Sequence, residues 1–303
     1  MSGDLAGSSR RLDLDLVVGA DPVSRSSDAG SPLSGSNLTL RVISGAVLAP
    51  VAILSAYLGG WAFALFWAIA AIIVLWEWTT LVVGTAYRLM FSSCAAAIAA
   101  AGFVAWLGRP IAALLMVGLG ALAAAIFAPR ERRLWVTAGI CYAGAMLLAP
   151  MFLRADSDFG FATIVLLFAV VWTTDVLGYF AGRAFGGPKL LPAVSPKKTW
   201  SGAVAGGLGA VIAALLVMDL LGSFNKLAIG IVALLLSVMA QLGDLLESRV
   251  KRQFGAKDAS HLIPGHGGVM DRLDGFWAAA VIACLIGLLR GGFAAPARGL
   301  LLW

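Results

Sequence analysis

The chain has 303 residues, 60% hydrophobic and 13% charged, with 22 Lys and Arg against 16 Asp and Glu and a mean hydropathy of +0.93. An ordinary soluble domain carries charge on about a quarter of its residues, so these values exclude a water-soluble globular fold. The apolar residues fall in unbroken runs of roughly 18–22, enough to cross about 30 Å of hydrocarbon as helices. In lipid the backbone must satisfy its own hydrogen bonds, and long runs without short-period alternation select helices over a closed barrel. The expected fold is all-α, a polytopic bundle of transmembrane helices.

Taken in chain order, residues 1–40 are rich in Ser, Gly and Asp and read as a disordered tail. They lack the charged-then-apolar order of a cleavable signal peptide. The membrane domain, 41–303, is expected to hold nine spans: 42–59, 61–83, 90–107, 110–128, 134–153, 160–181, 201–222, 227–246 and 272–290. The first five (42–153) form an N-terminal group, and the last four with their loops (160–290) form the catalytic part. Short connections at 59–61 and 108–110 predict tight helical hairpins. Cys94, Cys141 and Cys284 each sit alone in an apolar run without metal-ligand spacing and read as small core residues.

Lys and Arg set the orientation, because they accumulate on the cytoplasmic side. With nine spans, only Arg109, Arg154, Lys226, Arg290 and Arg298 of the 22 basic residues fall on one side. The remainder occupy the tail and the loops after the second, fourth, sixth and eighth spans, so that side is expected to be cytoplasmic. Two of its loops are long: "GRAFGGPKLLPAVSPKKTWSG" (182–202) and "ESRVKRQFGAKDASHLIPGHGGVM" (247–270).

Carboxylates inside a bilayer are costly and mark functional candidates. Asp175 lies near the end of the sixth span. Asp244 and Glu247 close the eighth, three residues apart and hence on one helical face. Asp271 and Asp274 open the ninth, where the helix dipole favours negative charge. Arg183, Lys189, Lys197, Lys198, Lys251, Arg252, Lys257 and Arg272 lie close by in sequence. Carboxylates among cations suit hard metal ions bridging phosphates, Mg2+ in particular. The lysines and arginines would neutralise polyphosphate charge, and the glycines of "PGHGG" would let backbone amides approach an anion.

Each element also has a plainer reading. Asp271 and Asp274 serve equally as helix caps, the basic loops as positive-inside anchors, His266 as a turn residue and "SPKKT" as a turn with a cap. Glu77, in "LWEWTT" of the second span, either pairs with a neighbouring helix or enters the polar site. Asp219 reads as interfacial. The convergence of so many polar elements on one membrane face favours a site.

The segment "SRVKRQFGAKDASHLIPGHGGVMDRLD" resembles the phosphatidate cytidylyltransferases, with Ser248, Lys251, Arg252, Lys257, Asp258, Pro264, Gly265, His266, Gly267, Gly268, Asp271, Arg272 and Asp274 at the fitting positions. The preceding "GDLLES" fits, as does "SPKKTW" with Asp175 and Tyr179 upstream. The close match covers residues 175–275, and earlier spans resemble the family in hydropathy only. One departure is Ser201, where the family commonly carries an acid.

The resemblance implies a membrane enzyme that makes CDP-diacylglycerol and pyrophosphate from CTP and phosphatidate. It implies a homodimer and a need for Mg2+, with room for a monovalent cation such as K+. It places Asp244, Asp271, Asp274 and Asp175 as metal ligands, and Asp244, Asp271, Arg272 and Lys251 in catalysis. Substrate contacts fall to Ser195, Lys197, Lys198, Thr199, Ser248, Arg252, Lys257, Gly265, His266, Gly267 and Gly268. Arg272 has a competing role as an ion-pair partner orienting Asp271 and Asp274. No nucleic-acid partner is expected, and a bacterial inner membrane is the expected location.

Two other readings are weighed. An ion-coupled transporter also buries acids, but typically near the midplane on broken helices in repeated halves. Here the acids lie near one face and no repeat pairs the first spans with the last. A cytidylyltransferase acting on another lipid phosphate would share the same headgroup motif.

Overall fold

A computed structural model describes residues 34–222, 224–263 and 267–303, with side chains from Gly45 onward. Besides a short 3-10 helix at Arg130–Arg132, the described residues form ten α-helices and a two-stranded ribbon. In order these are α1 (Ser34–Leu58), α2 (Gly60–Val83), α3 (Arg88–Trp106), α4 (Pro110–Phe127), α5 (Arg133–Arg154), α6 (Gly160–Phe185), β1 (Lys189–Leu191), β2 (Ser195–Thr199), α7 (Trp200–Leu221), α8 (Lys226–Gln253), α9 (Met270–Gly291) and α10 (Pro296–Leu301). Eight of them, α2 to α9, are long and apolar enough to cross a membrane. The first expected span coincides with α1, whose described apolar part, Gly45–Leu58, is shorter.

Two boundaries differ from expectation in ways that matter for the site. The eighth span was expected to stop at 246, yet α8 runs to Gln253. Apolar Val250 is buried on its inner face, and Glu247 pairs with Lys251 one turn on, so the helix continues beyond its apolar run. Glu247, Ser248, Lys251 and Arg252 therefore stand on a helix and not in a loop. The 182–202 loop contains the antiparallel ribbon, in which Lys189 pairs with Thr199 and Leu191 with Ser195.

The most enclosed of the eight candidate spans is α5, which packs on α2, α3, α4, α6 and α9. Two indole N–H groups dock on its backbone: Trp78 Nε1 donates to Trp135 O at 2.8 Å and Trp277 Nε1 to Tyr142 O at 3.1 Å. Tyr142 stacks between these same indoles, with ring centroids 5.3 and 4.3 Å away. Helices α2, α5 and α9 are thereby locked together below the site. Cys94 and Cys284 are buried as expected, whereas Cys141 faces outward from α5.

On the other side, α6 and α7 approach closely because small residues line their contact. A Cβ on Gly206 would lie 2.7 Å from the Thr174 carbonyl oxygen, so only glycine fits there. The Thr174 hydroxyl meets Ser237 Oγ at 2.7 Å, tying α6 to α8 in an apolar interior. Asp219, near the opposite membrane face, pairs with Lys226 at 2.9 Å between exposed side chains.

Candidate active site

The end of α8 and the start of α9 meet side by side. A Cβ on Gly243 would fall 2.6 Å from the Asp274 carbonyl oxygen, so the helices touch at backbone level. This contact brings Asp244, Glu247 and Asp274 together, with one carboxylate oxygen of each within 4.8 Å of the others. Three carboxylates this close repel one another unless a cation or proton lies among them. Glu247 is 2% exposed and its oxygens accept no backbone hydrogen bond, so in a buried position its charge is met only by the side chains around it. An all-oxygen set of this kind suits a hard divalent cation such as Mg2+.

Asp271, one turn from Asp274, is engaged differently. Its Oδ1 lies 2.5 Å from Lys251 Nζ, and its Oδ2 accepts the N–H groups of Gly268 at 2.7 Å and Ala259 at 3.0 Å. Lys251 also reaches Glu247 Oε1 at 3.2 Å, so this cation bridges the acid cluster and Asp271. Asp175 stands about three turns before the end of α6, among the charges of Asp244, Lys198 and Arg272. Of the four expected metal ligands, Asp244 and Asp274 lie in the group of three, while Asp271 and Asp175 flank it.

The ribbon delivers the lysines. Successive side chains of a strand point to opposite faces, so the neighbours Lys197 and Lys198 diverge. Lys198 is half-buried and forms an ion pair with Asp244 Oδ2, and Lys197 is exposed. Thr199 ends the ribbon and caps α7, its Oγ1 accepting the Gly202 N–H at 3.2 Å. Ser201 spends its hydroxyl on Gly186 O and lies 3.0 Å from Thr199 Oγ1. At that position, where the resemblance would place an acid, this chain makes local hydrogen bonds.

Among the other expected substrate contacts, Ser248 Oγ donates to Asp244 Oδ1 at 3.3 Å. Arg252 and Lys257 are exposed, and Arg252 donates to Ala256 O at 3.0 Å. Ser195 pairs with Leu191 at the far end of the ribbon. Gly267 takes the left-handed φ of +84° that glycine tolerates. Gly265 and His266 lie outside the described residues.

Two acids gain roles that the sequence left open or unassigned. Glu247 completes the carboxylate group, and its spacing from Asp244 was the available signal. Glu77, fully buried on α2, accepts the N–H groups of Val269 at 2.8 Å and Met270 at 2.6 Å, and the Ser260 hydroxyl at 2.6 Å. Of its two readings, pairing with a neighbouring helix is the one observed.

Acids, lysines and a capped helix start, gathered at one end of a membrane-spanning bundle, define an integral membrane enzyme suited to handling phosphates. Residues 39–289 match the model of the cytidylyltransferase family, and the chain belongs to that family. Similar relatives include proteins named phosphatidate cytidylyltransferase from Brucella abortus and Brucella suis. Each is 45% identical over 266 residues, which is 86% of this chain and 96% of theirs. The phosphatidate cytidylyltransferase of Haemophilus influenzae is 40% identical over 142 residues, 45% of this chain and 49% of its own.

Proposed function

We propose that the protein transfers CMP from CTP to phosphatidate, forming CDP-diacylglycerol and releasing pyrophosphate. The observation that carries this reading is the meeting of Asp244, Glu247 and Asp274 beside Lys198 and Lys251, in a chain of this family. A phosphatidate phosphate oxygen attacks the α-phosphorus of CTP, and the bond from that phosphorus to the β-phosphate bridging oxygen breaks. The attacking oxygen is already anionic, so the protein's main work is to position the groups and offset their charge.

Asp244, Glu247 and Asp274 would hold Mg2+, with Asp175 and Asp271 flanking, and the resemblance leaves room for K+ as a second cation. Bound there, Mg2+ would neutralise phosphate oxygens and orient them. Lys197, exposed and without a carboxylate partner among the described residues, would meet the nucleotide phosphates from solvent, and Arg252 and Lys257 extend that basic surface. Lys198 holds Asp244 in place, and Lys251 does the same for Glu247 and Asp271.

The acyl chains stay in the bilayer while the headgroup reaches the ends of α6, α8 and α9. The site faces the cytoplasm of a bacterial inner membrane, a placement supported by the distribution of Lys and Arg and by the bacterial relatives. The homodimer rests on the family resemblance.

The test incubates detergent-purified protein with phosphatidate, Mg2+ and CTP labelled in the cytosine. Label entering the lipid phase with matching pyrophosphate release, and lost in Asp274→Asn, is the expected result. Folded protein that labels no phosphatidate would overturn the reading, and label passing to another lipid phosphate would redirect the acceptor assignment.

A further inference from the structure

Helix α9 begins without a side-chain cap of its own: Val269 occupies the capping position and has no oxygen to offer. Its first amides are buried against α2, where an unpartnered N–H would be costly. The oxygen comes from Glu77, a carboxylate with no exposure at all, reaching across from an otherwise apolar helix. Its Oε1 accepts from Val269 N and Ser260 Oγ, and its Oε2 accepts from Met270 N. A negative charge at a helix start is also favoured by the helix dipole.

Asp271 works on the same segment from the other side, accepting from Ala259 and Gly268. The two arms of the loop neck, 259–260 and 268–270, are thus pinned by two carboxylates. Further out, Ile263 N donates to Gly267 O at 2.8 Å. Gly268 sits so close to the clasp that a Cβ there would lie 2.5 Å from Glu77 Oε1.

Resting on the function proposed above, we propose that Glu77 is a positioning residue for CMP transfer. It acts by fixing the start of α9, and with it the register of Asp271 and Asp274 against α8. Glu77 touches neither substrate. It shapes the site through backbone amides supplied by a helix nearly two hundred positions later in the chain.

Glu77→Gln in the full-length, detergent-purified protein tests this. The amide keeps the volume but turns one acceptor into a donor facing an N–H. Hydrogen–deuterium exchange should rise in peptides covering 259–270 and stay unchanged in α5. The turnover number should fall about 10- to 100-fold, as for other residues that orient a site's ligands, with KM for CTP moving by less than about threefold.

Gly268→Ala should lower the thermal midpoint beside Glu77 and barely change it in a Glu77→Ala background, because the added methyl then occupies vacated space. If Glu77→Gln is too unstable to purify, Ser260→Ala, which removes the hydroxyl that donates to Glu77 and accepts from Leu262 N, should give the same pattern in smaller measure.

Unchanged exchange with unchanged turnover would overturn the proposal. So would a change in KM alone, or a Gly268→Ala defect of equal size in both backgrounds. Failure of the wild-type protein to transfer CMP would overturn the function proposed above, while the exchange data would still decide whether the clasp exists.

Discussion

Lys251 Nζ lies 2.5 Å from Asp271 Oδ1, joining the last turn of α8 to the first turn of α9. The same ammonium is 3.2 Å from Glu247 Oε1, and all three side chains are at least nine-tenths buried. Removing the cation leaves two buried carboxylates uncompensated, the situation in which broken ion pairs cost roughly 3–5 kcal/mol. Lys251→Met should lower the thermal midpoint in detergent and abolish transfer. Adding Asp271→Asn should recover part of the lost stability, because one of the stranded charges is then gone. Strict additivity of the two changes would show that the pair is not coupled.

The two adjacent lysines of β2 should behave differently. Lys198 is paired with Asp244, whereas Lys197 faces solvent. Lys198→Ala should shift the Mg2+ dependence of activity, since Asp244 loses its neighbour. Lys197→Ala should raise KM for CTP by about tenfold or more, the loss of one charge-assisted phosphate contact, and leave the Mg2+ dependence alone. Titrating Mg2+ and CTP separately for each variant separates the two roles.

Glu247→Gln tests the carboxylate group directly. With one of the three proposed acidic ligands made neutral, the Mg2+ concentration giving half-maximal activity should rise on the order of tenfold or more. Mn2+ binding followed by electron paramagnetic resonance gives an independent reading without turnover. Wild-type affinity for Mn2+ in this variant would remove Glu247 from the site.

Gly206→Val tests the close approach of α6 and α7. Its side chain would collide with the Thr174 carbonyl, whose residue also supplies the hydroxyl to Ser237. Separating the helices should cost about 1–3 kcal/mol, as overpacking does. Thermal unfolding in detergent measures it, and a small effect on CTP affinity beside a large one on stability is the expected pattern.

The spans were legible because hydrocarbon imposes a length on any helix that crosses it, and the runs of Ala, Leu and Val carry that length openly. The cluster of acids was legible too: Asp244 with Glu247, and Asp271 with Asp274, are spaced to share a helical face. The partners of each acid were not, because nothing local distinguishes Asp271, whose oxygens are held by Lys251 and two amides, from Asp274, which joins the group of three. Glu77 was visible as an acid in an apolar run. Its target was not, since the amides it accepts belong to residues with no side-chain signal for capping. The ribbon was hidden because "GGPKLLPAVSPKKT" reads as loop chemistry, and only the pairing of Lys189 with Thr199 gives it form.

Helix α8 is 28 residues long, and at its standard rise it measures roughly 42 Å. The hydrocarbon it crosses is only about 30 Å thick. Its apolar stretch ends at Leu246, so the final turns, bearing Glu247, Ser248 and Lys251, lie beyond the length that the hydrocarbon accounts for. A diacyl lipid and a highly charged nucleotide have no solvent in common, and moving either into the other's phase would cost far more than a bound complex could return. A helix that overshoots the bilayer by a few turns removes that transfer from the reaction: each substrate remains in its own medium, and the bond is made along the seam between them.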